Sequence, residues 1–323
     1  MNDSGTPASA PGQGRGLRHI LFPFEGEDRF LAGALSFVEG ALGADEAVVV
    51  AVSDPHEELI RQALADTGTA DRVSFLDTAE LSRNPGRLIP VWQAWIEKAS
   101  REGRPVRAIS ENPWAGRTSA ESTELRYQEW LLNRAFADAP IWWLLCPFDT
   151  VADAAGTTLA ALERTHPLVL RDAGPTTGSA YTDEPYAFEP LTDPCDPDEA
   201  LAFTAGQLAS VRDRITVCAG RHALAGDRLR DLLLAATEVA ANSIKYAGGG
   251  TLRTWAEETR FVCEFRDSGH IADPMAGLVR PTVGQVGGRG LWLAQQMCDL
   301  VQIRSSAENG TTVRLAMEGV NGG

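Results

Sequence analysis

No apolar run in this chain approaches the ~20 residues that a membrane-spanning helix needs. The longest, AVVVAV and APIWWLLCPF, stop far short. Basic charge is scarce as well: 29 Lys and Arg against 44 Asp and Glu leave a net charge of −15. That argues against a nucleic-acid partner, because holding a phosphate backbone needs a basic footprint. It leaves room for a bound nucleotide, which a few local amides and cations can hold. The five cysteines, Cys146, Cys195, Cys218, Cys263 and Cys298, are odd in number and scattered, with no CxxC or Cys/His ligand spacing. Neither a disulfide framework nor a zinc site is expected from such spacing. GxxxxGK[ST] is absent, so no P-loop ATPase activity is expected. The start MNDSGTPASAPGQGRG is polar and lacks the apolar core of a signal peptide. The expectation is a cytoplasmic chain with no membrane contact.

What is present divides in two. A length of 323 residues fits two domains on a prior of about 150 residues each. Residues 1–16, small and polar, read as a disordered tail. From LRHILFPF onward, short apolar strands alternate with helical stretches: AVVVAV, RVSFLD, PVRAISENP and PIWWLLCPFD are separated by runs such as EELIRQALADTG and AESTELRYQEWLLNRAFAD. That alternation predicts an α/β domain over 17–171 with a largely parallel sheet covered on both faces. The Pro-, Asp- and Thr-rich stretch from 172 to 198 breaks both periodicities, and a linker is expected at 172–189. Residues 190–320 have another rhythm, with strands grouped apart from helices, and predict an α+β sandwich. Its last hairpin is signalled by Asn309-Gly310.

The second half also carries chemistry. LLLAATEVAANSIKYAGGG reads as an apolar helix stopped by three glycines, with Glu238 and Asn242 one turn apart on one face. By itself that pair reads more readily as two polar residues on the solvent side of an ordinary amphipathic helix. Further on, RFVCEFRDSG ends a strand on Asp267, whose plain reading is a turn-forming Asp. VGQVGGRGLWLAQQ then runs glycines into a helix start, where free amides and the dipole favour anions. NGTTVRL finally places Thr311 and Thr312 after a tight turn. Taken in order, E-x-x-x-N on a helix, D-x-G after a strand, G-G-x-G-L opening a helix and G-T-x-V in a strand resemble the GHKL ATP-binding fold. Within that superfamily, TEVAANSIKYAGGG and GGRGLWLAQQMCD look most like the anti-sigma-factor serine/threonine kinases.

The resemblance assigns roles by position. Asn242 would ligate Mg²⁺ and Glu238 would act as general base. Asp267 would read the adenine amine, with Gly269 allowing close approach. Gly287, Gly288 and Gly290 would cradle phosphates beside Arg289, with Leu291 completing the motif. Thr311 or Thr312 would support the adenine side, and Lys245 could reach a phosphate. The cofactors implied are ATP and Mg²⁺. The partners implied are a sigma factor and an anti-sigma-factor antagonist phosphorylated on serine or threonine; a homodimer is left open. After Asp267, DSGHIADP departs from the family's D-x-G-x-G by lacking the second glycine. His166 and His222 lack the acidic residue and proline of a phosphoacceptor box, and His166 precedes a helix-stopping Pro. Both read as structural, which disfavours a histidine-kinase-like transmitter. A non-catalytic, nucleotide-dependent binding switch is the rival from another class.

RHILFPFEGEDRFLAGALSFVEGALGADEAVVVAVSD resembles the MEDS sensory domain, which implies a RecA-like build over about 17–170. His19, Glu27 and Asp28 have no second ligand at metal spacing and are expected to cap or lie at the surface. Trp92, Trp95, Trp114, Trp130, Trp142 and Trp143 are expected in the core, where several could line a small-molecule pocket.

Overall fold

The computed structural model describes residues 15–78, 83–151, 153, 156–188, 190–194, 196–222, 224–257, 259–282 and 288–319. Contacts divide them into two units. One takes the described residues of Met1–Ala79 and Val91–Pro185, the other those of Glu80–Pro90 and Tyr186–Gly323. The expected tail falls almost wholly outside the described residues, as does Cys195.

In the first unit, β1 (Leu17–Phe24), β2 (Ala47–Ala51), β3 (Val73–Phe75), β4 (Val106–Ser110), β5 (Trp142–Asp149), β6 (Leu168–Arg171) and β7 (Gly174–Thr177) form one sheet in the order β3-β2-β4-β5-β1-β6-β7. All pairs are parallel except β6 with β7. The apolar runs at β2 and β5 suit strands buried on both faces. Between the strands lie α1 (Glu27–Gly43), α2 (Asp54–Asp66), α3 (Leu88–Arg101), α4 (Ser119–Ala135) and α5 (Thr157–Thr165). On α1, Phe30, Ala34, Phe37, Val38 and Ala41 recur at helical spacing and bury one stripe. Glu27 and Asp28 form its exposed first turn, where carboxylates offset the helix dipole. Trp92 and Trp142 are core residues.

Two expectations change here. Inside the expected linker at 172–189, Gly174–Thr177 is an edge strand that pairs with Leu168–Arg171 as a tight antiparallel hairpin. A four-residue strand holding a Pro gives too short a pattern to stand out from a Thr-rich loop. His19, expected at a cap or the surface, is fully buried. It sits in β1, between β5 and β6, where both faces are covered.

The second unit pairs β8 (Leu201–Thr204), β9 (Gly249–Glu257), β10 (Arg260–Asp267), β11 (Leu300–Ser306) and β12 (Gly310–Glu318) in the antiparallel order β11-β12-β10-β9-β8. Its helices are α6 (Leu208–Gly220), α7 (Gly226–Ala247) and α8 (Arg289–Met297). Phe261, Cys263 and Phe265 of β10 alternate onto the core, with Val313, Leu315 and Met317 of β12 and the buried stripe of α7, Leu232, Ala235, Ala236, Val239 and Ala240. α7 ends where Gly248 takes the left-handed conformation (φ 78°) and its amide closes on the Ile244 carbonyl. Residues from 83 to Pro90 belong to this unit: Asn84 Nδ2 donates to the carbonyls of Gln295 (2.9 Å) and Cys298 (3.2 Å), and Arg87 to that of Gln296 (2.6 Å). Those donors satisfy the open end of α8.

The sheet's other face carries charge. Glu264 lies directly across from Arg253 on β9 and Arg314 on β12. It accepts from Arg253 (2.7 Å), Arg314 (2.8 Å) and Arg266 (2.8 Å).

Candidate functional site

The helix that opened the question of Glu238 and Asn242 supplies one wall of a cavity of about 410 Å³. The other walls are the start of α8, the ends of β10 and β12, and the segment from Gly269 to Val279. The volume falls within the ~300–1,000 Å³ of ordinary ligand pockets.

One end is built around Asp267. Its Oδ2 accepts from Ser243 Oγ (2.6 Å) and its Oδ1 from the Gly269 amide (2.8 Å). Both bonds fix the carboxylate while leaving lone pairs for a further donor. Thr311 pairs with Asp267 across β10 and β12, is buried, and donates to the Gly269 carbonyl (2.8 Å). Strand alternation sends Thr312 to the other face, and only Thr311 of the two lines the cavity. Where the family pattern has a second glycine, Ile271 lines the cavity and its amide donates to Ser305 Oγ (2.8 Å). The loop is thus anchored without that glycine.

Asn242, Gly288 and Leu291 also line the cavity, whereas Glu238 does not. Gly288 precedes the first turn of α8, where amides are free to meet an anion. Gly290 explains why glycine is needed here. A β-carbon at that position would stand 2.9 Å from Glu238 Oε2 and 3.2 Å from Asn242 Nδ2. The backbone of α8 therefore lies against both side chains, and the pair converges on one point at the helix start. A carboxylate, a side-chain amide and the first backbone amides of α8 thus stand together, a set whose chemistry suits a metal-bound polyphosphate.

The remaining expected residues are placed less centrally. Arg289 is exposed as the first residue of α8. Lys245 is exposed and sits 4.8 Å over the Tyr246 ring, outside the cavity wall. Gly287 lies outside the described residues. Ser243 and the stretch from Ile271 to Val279 were missed in the sequence. Ser243 directly follows Asn242 on α7, so proximity to the E-x-x-x-N pair was the available signal.

Residues 18–167 match the family model of MEDS, the MEthanogen/methylotroph, DcmR Sensory domain. Residues 201–317 match that of the histidine kinase-like ATPase domain. No curated protein matches the chain. Among the described residues, no helix is long and apolar enough to cross a membrane. The second match spans the cavity and the residues of both its ends, and the antiparallel sheet with helices on one face is the sandwich expected of it. Residues 18–167 are thus a MEDS sensory domain, and residues 201–317 that follow are an ATP-binding domain of the GHKL, histidine kinase-like type.

Proposed function

We propose that the second unit binds ATP with Mg²⁺ and acts as a serine/threonine protein kinase of the anti-sigma-factor type, phosphorylating an anti-sigma-factor antagonist or sequestering a sigma factor under control of the sensory domain. The observation that carries this reading is that Asn242, Gly288 and Asp267 line one cavity, with Glu238 beside Asn242 against Gly290, just behind the lining. Bound Mg²⁺-ATP would supply the phosphoryl group and the charge neutralisation of its transfer. Asn242 offers its side-chain oxygen to the metal. The α8 amides from Gly288 onward hold phosphate oxygens. Glu238, one turn before Asn242 on α7, would accept the proton of a substrate hydroxyl. Asp267, held by Ser243 and Gly269, accepts from the adenine amine.

Calorimetric titration of ATP with and without Mg²⁺, followed by transfer of labelled γ-phosphate to the antagonist, tests the whole reading. The adenine end can be tested alone. Asp267→Asn exchanges an acceptor for a donor, and a buried amine left unpaired costs about 1–3 kcal/mol. ATP affinity should fall accordingly, while circular dichroism stays unchanged. An Asp267→Asn protein that binds ATP as tightly as wild type removes Asp267 from the adenine site.

A further inference from the structure

Four side chains with metal-ligating atoms meet in the core of the first unit, far apart in sequence. His19 stands on β1 and Cys146 on the neighbouring β5, where Cys146 pairs with Leu21 and so shares His19's face of the sheet. Glu129 comes from α4, and His166 follows the last turn of α5. All four are buried, and one ligand atom from each lies within 4.8 Å of every other.

The hydrogen bonds around the cluster settle which atoms face inward. Asn133 Nδ2 donates to the Thr165 carbonyl (2.7 Å), so its Oδ1 accepts from His19 Nδ1 (3.3 Å). His166 Nδ1 donates to the Leu162 carbonyl (2.8 Å). Each imidazole therefore turns an Nε2 lone pair toward the centre. Glu129 Oε1 accepts from Asn112 Nδ2 (2.6 Å), which leaves Oε2 pointing the same way. His19 Nε2 is 3.2 Å from that oxygen and 3.3 Å from Cys146 Sγ, and His166 Nε2 is 3.6 Å from the oxygen. Glu129 Oε2 and His166 Nε2 are buried with no hydrogen-bond partner among the described residues. Acceptors crowd together here, with a weakly donating thiol among them.

A cation resolves that frustration. Ligands of a tetrahedral Zn²⁺ stand about 3.3–3.7 Å from one another, given Zn–N and Zn–O of about 2.0–2.2 Å and Zn–S of about 2.3 Å. The three separations above already fall in or beside that range. We propose that His19, Glu129, Cys146 and His166 bind a divalent transition-metal ion of the Zn²⁺ class in the sensory domain. Thiolate, imidazole and carboxylate together suit a borderline-soft ion rather than Mg²⁺ or Ca²⁺. On binding, the Cys146 thiol gives its proton to solvent and its sulfur forms the metal bond. Four protein ligands leave no open position, so the ion ties β1, β5, α4 and the end of α5 together instead of activating a substrate. Asn133 and Asn112 act as positioning residues that aim His19 and Glu129.

The test uses the full chain, refolded under reducing conditions with Co²⁺ or Zn²⁺ and without nucleotide, so that the Asn242 site does not contribute. One metal per chain is expected by elemental analysis. Co²⁺ should show the visible bands of four-coordination and a near-ultraviolet thiolate charge-transfer band. Cys146→Ser should abolish that band. Asn133→Ala, which touches no metal, should weaken binding by about 10–100-fold. A folded wild-type chain that takes up neither ion overturns the proposal without recourse to any variant. So does a thiolate band that persists in a folded Cys146→Ser protein.

Discussion

A Glu238→Gln protein is expected to bind Mg²⁺-ATP nearly as wild type does while transferring phosphate about 10²–10⁴-fold more slowly, the usual contribution of a positioned general base. The substitution keeps the side chain's shape against Gly290, where Glu238 Oε2 already sits close to the backbone of α8. What it removes is the capacity to take a proton. Asn242→Ala should behave differently. It deletes the side-chain amide of a cavity-lining residue, so the Mg²⁺-dependent part of ATP affinity should fall, and transfer with it. The measurement is ATP affinity with and without Mg²⁺ beside phosphate incorporation into the antagonist, for wild type and both variants. Undiminished transfer by Glu238→Gln would sink the base assignment. If wild type transfers nothing yet still captures its partner, the chain is a sequestering switch, and Glu238 serves binding alone.

The contrast between the two units shows what a sequence makes legible. Glu238 with Asn242, Asp267 with Gly269, and Gly288 to Leu291 are each local patterns. Their spacing fixes a helix face, a strand end and a helix start, and the fold brings Asn242, Asp267, Gly269, Gly288 and Leu291 to one cavity. Ser243 needed the fold, because its bond to Asp267 closes a gap between α7 and the end of β10. The His19 cluster was invisible to a search for ligand spacing, since its members sit on four elements and meet only when β1 pairs with β5. One signal was present nonetheless: His19 and Cys146 interrupt two strands that are otherwise almost wholly apolar, LRHILFPF and WWLLCPFD. A polar group in a doubly covered strand needs a partner, and its partner here is another such group. Residues from 83 to Pro90 illustrate a further limit. They fall within the MEDS match, yet their contacts group them with the second unit, a long-range association that no local pattern records.

Removing Glu264 should cost the second unit about 3–5 kcal/mol, the range for breaking a buried ion pair by deleting one partner. Glu264 has no exposed surface, and the Arg314 paired with it across the strands is 6% exposed. Among the described residues, Glu264→Ala would leave Arg314 holding only the Thr192 carbonyl and the face of Trp255. Arg253 and Arg266 suffer less, because each also approaches Asp193. Acid provides a second handle. Burial alone would raise the Glu264 carboxyl, but hydrogen bonds from Arg253, Arg314 and Arg266 outweigh it and hold the group below the usual carboxylate range. A carboxyl depressed on folding contributes its stability above the unfolded-state value and loses it as pH falls through the lower, folded-state value. The gap between wild type and Glu264→Gln should therefore be widest near neutrality and shrink only below the ordinary carboxylate range. Urea unfolding at several pH values, followed by hydrogen exchange at the amides of β9, β10 and β12, reads both effects on this unit alone. A Glu264→Ala protein as stable as wild type would mean that the arginines find equivalent partners, and that the row across β9, β10 and β12 does not hold the sheet's outer face.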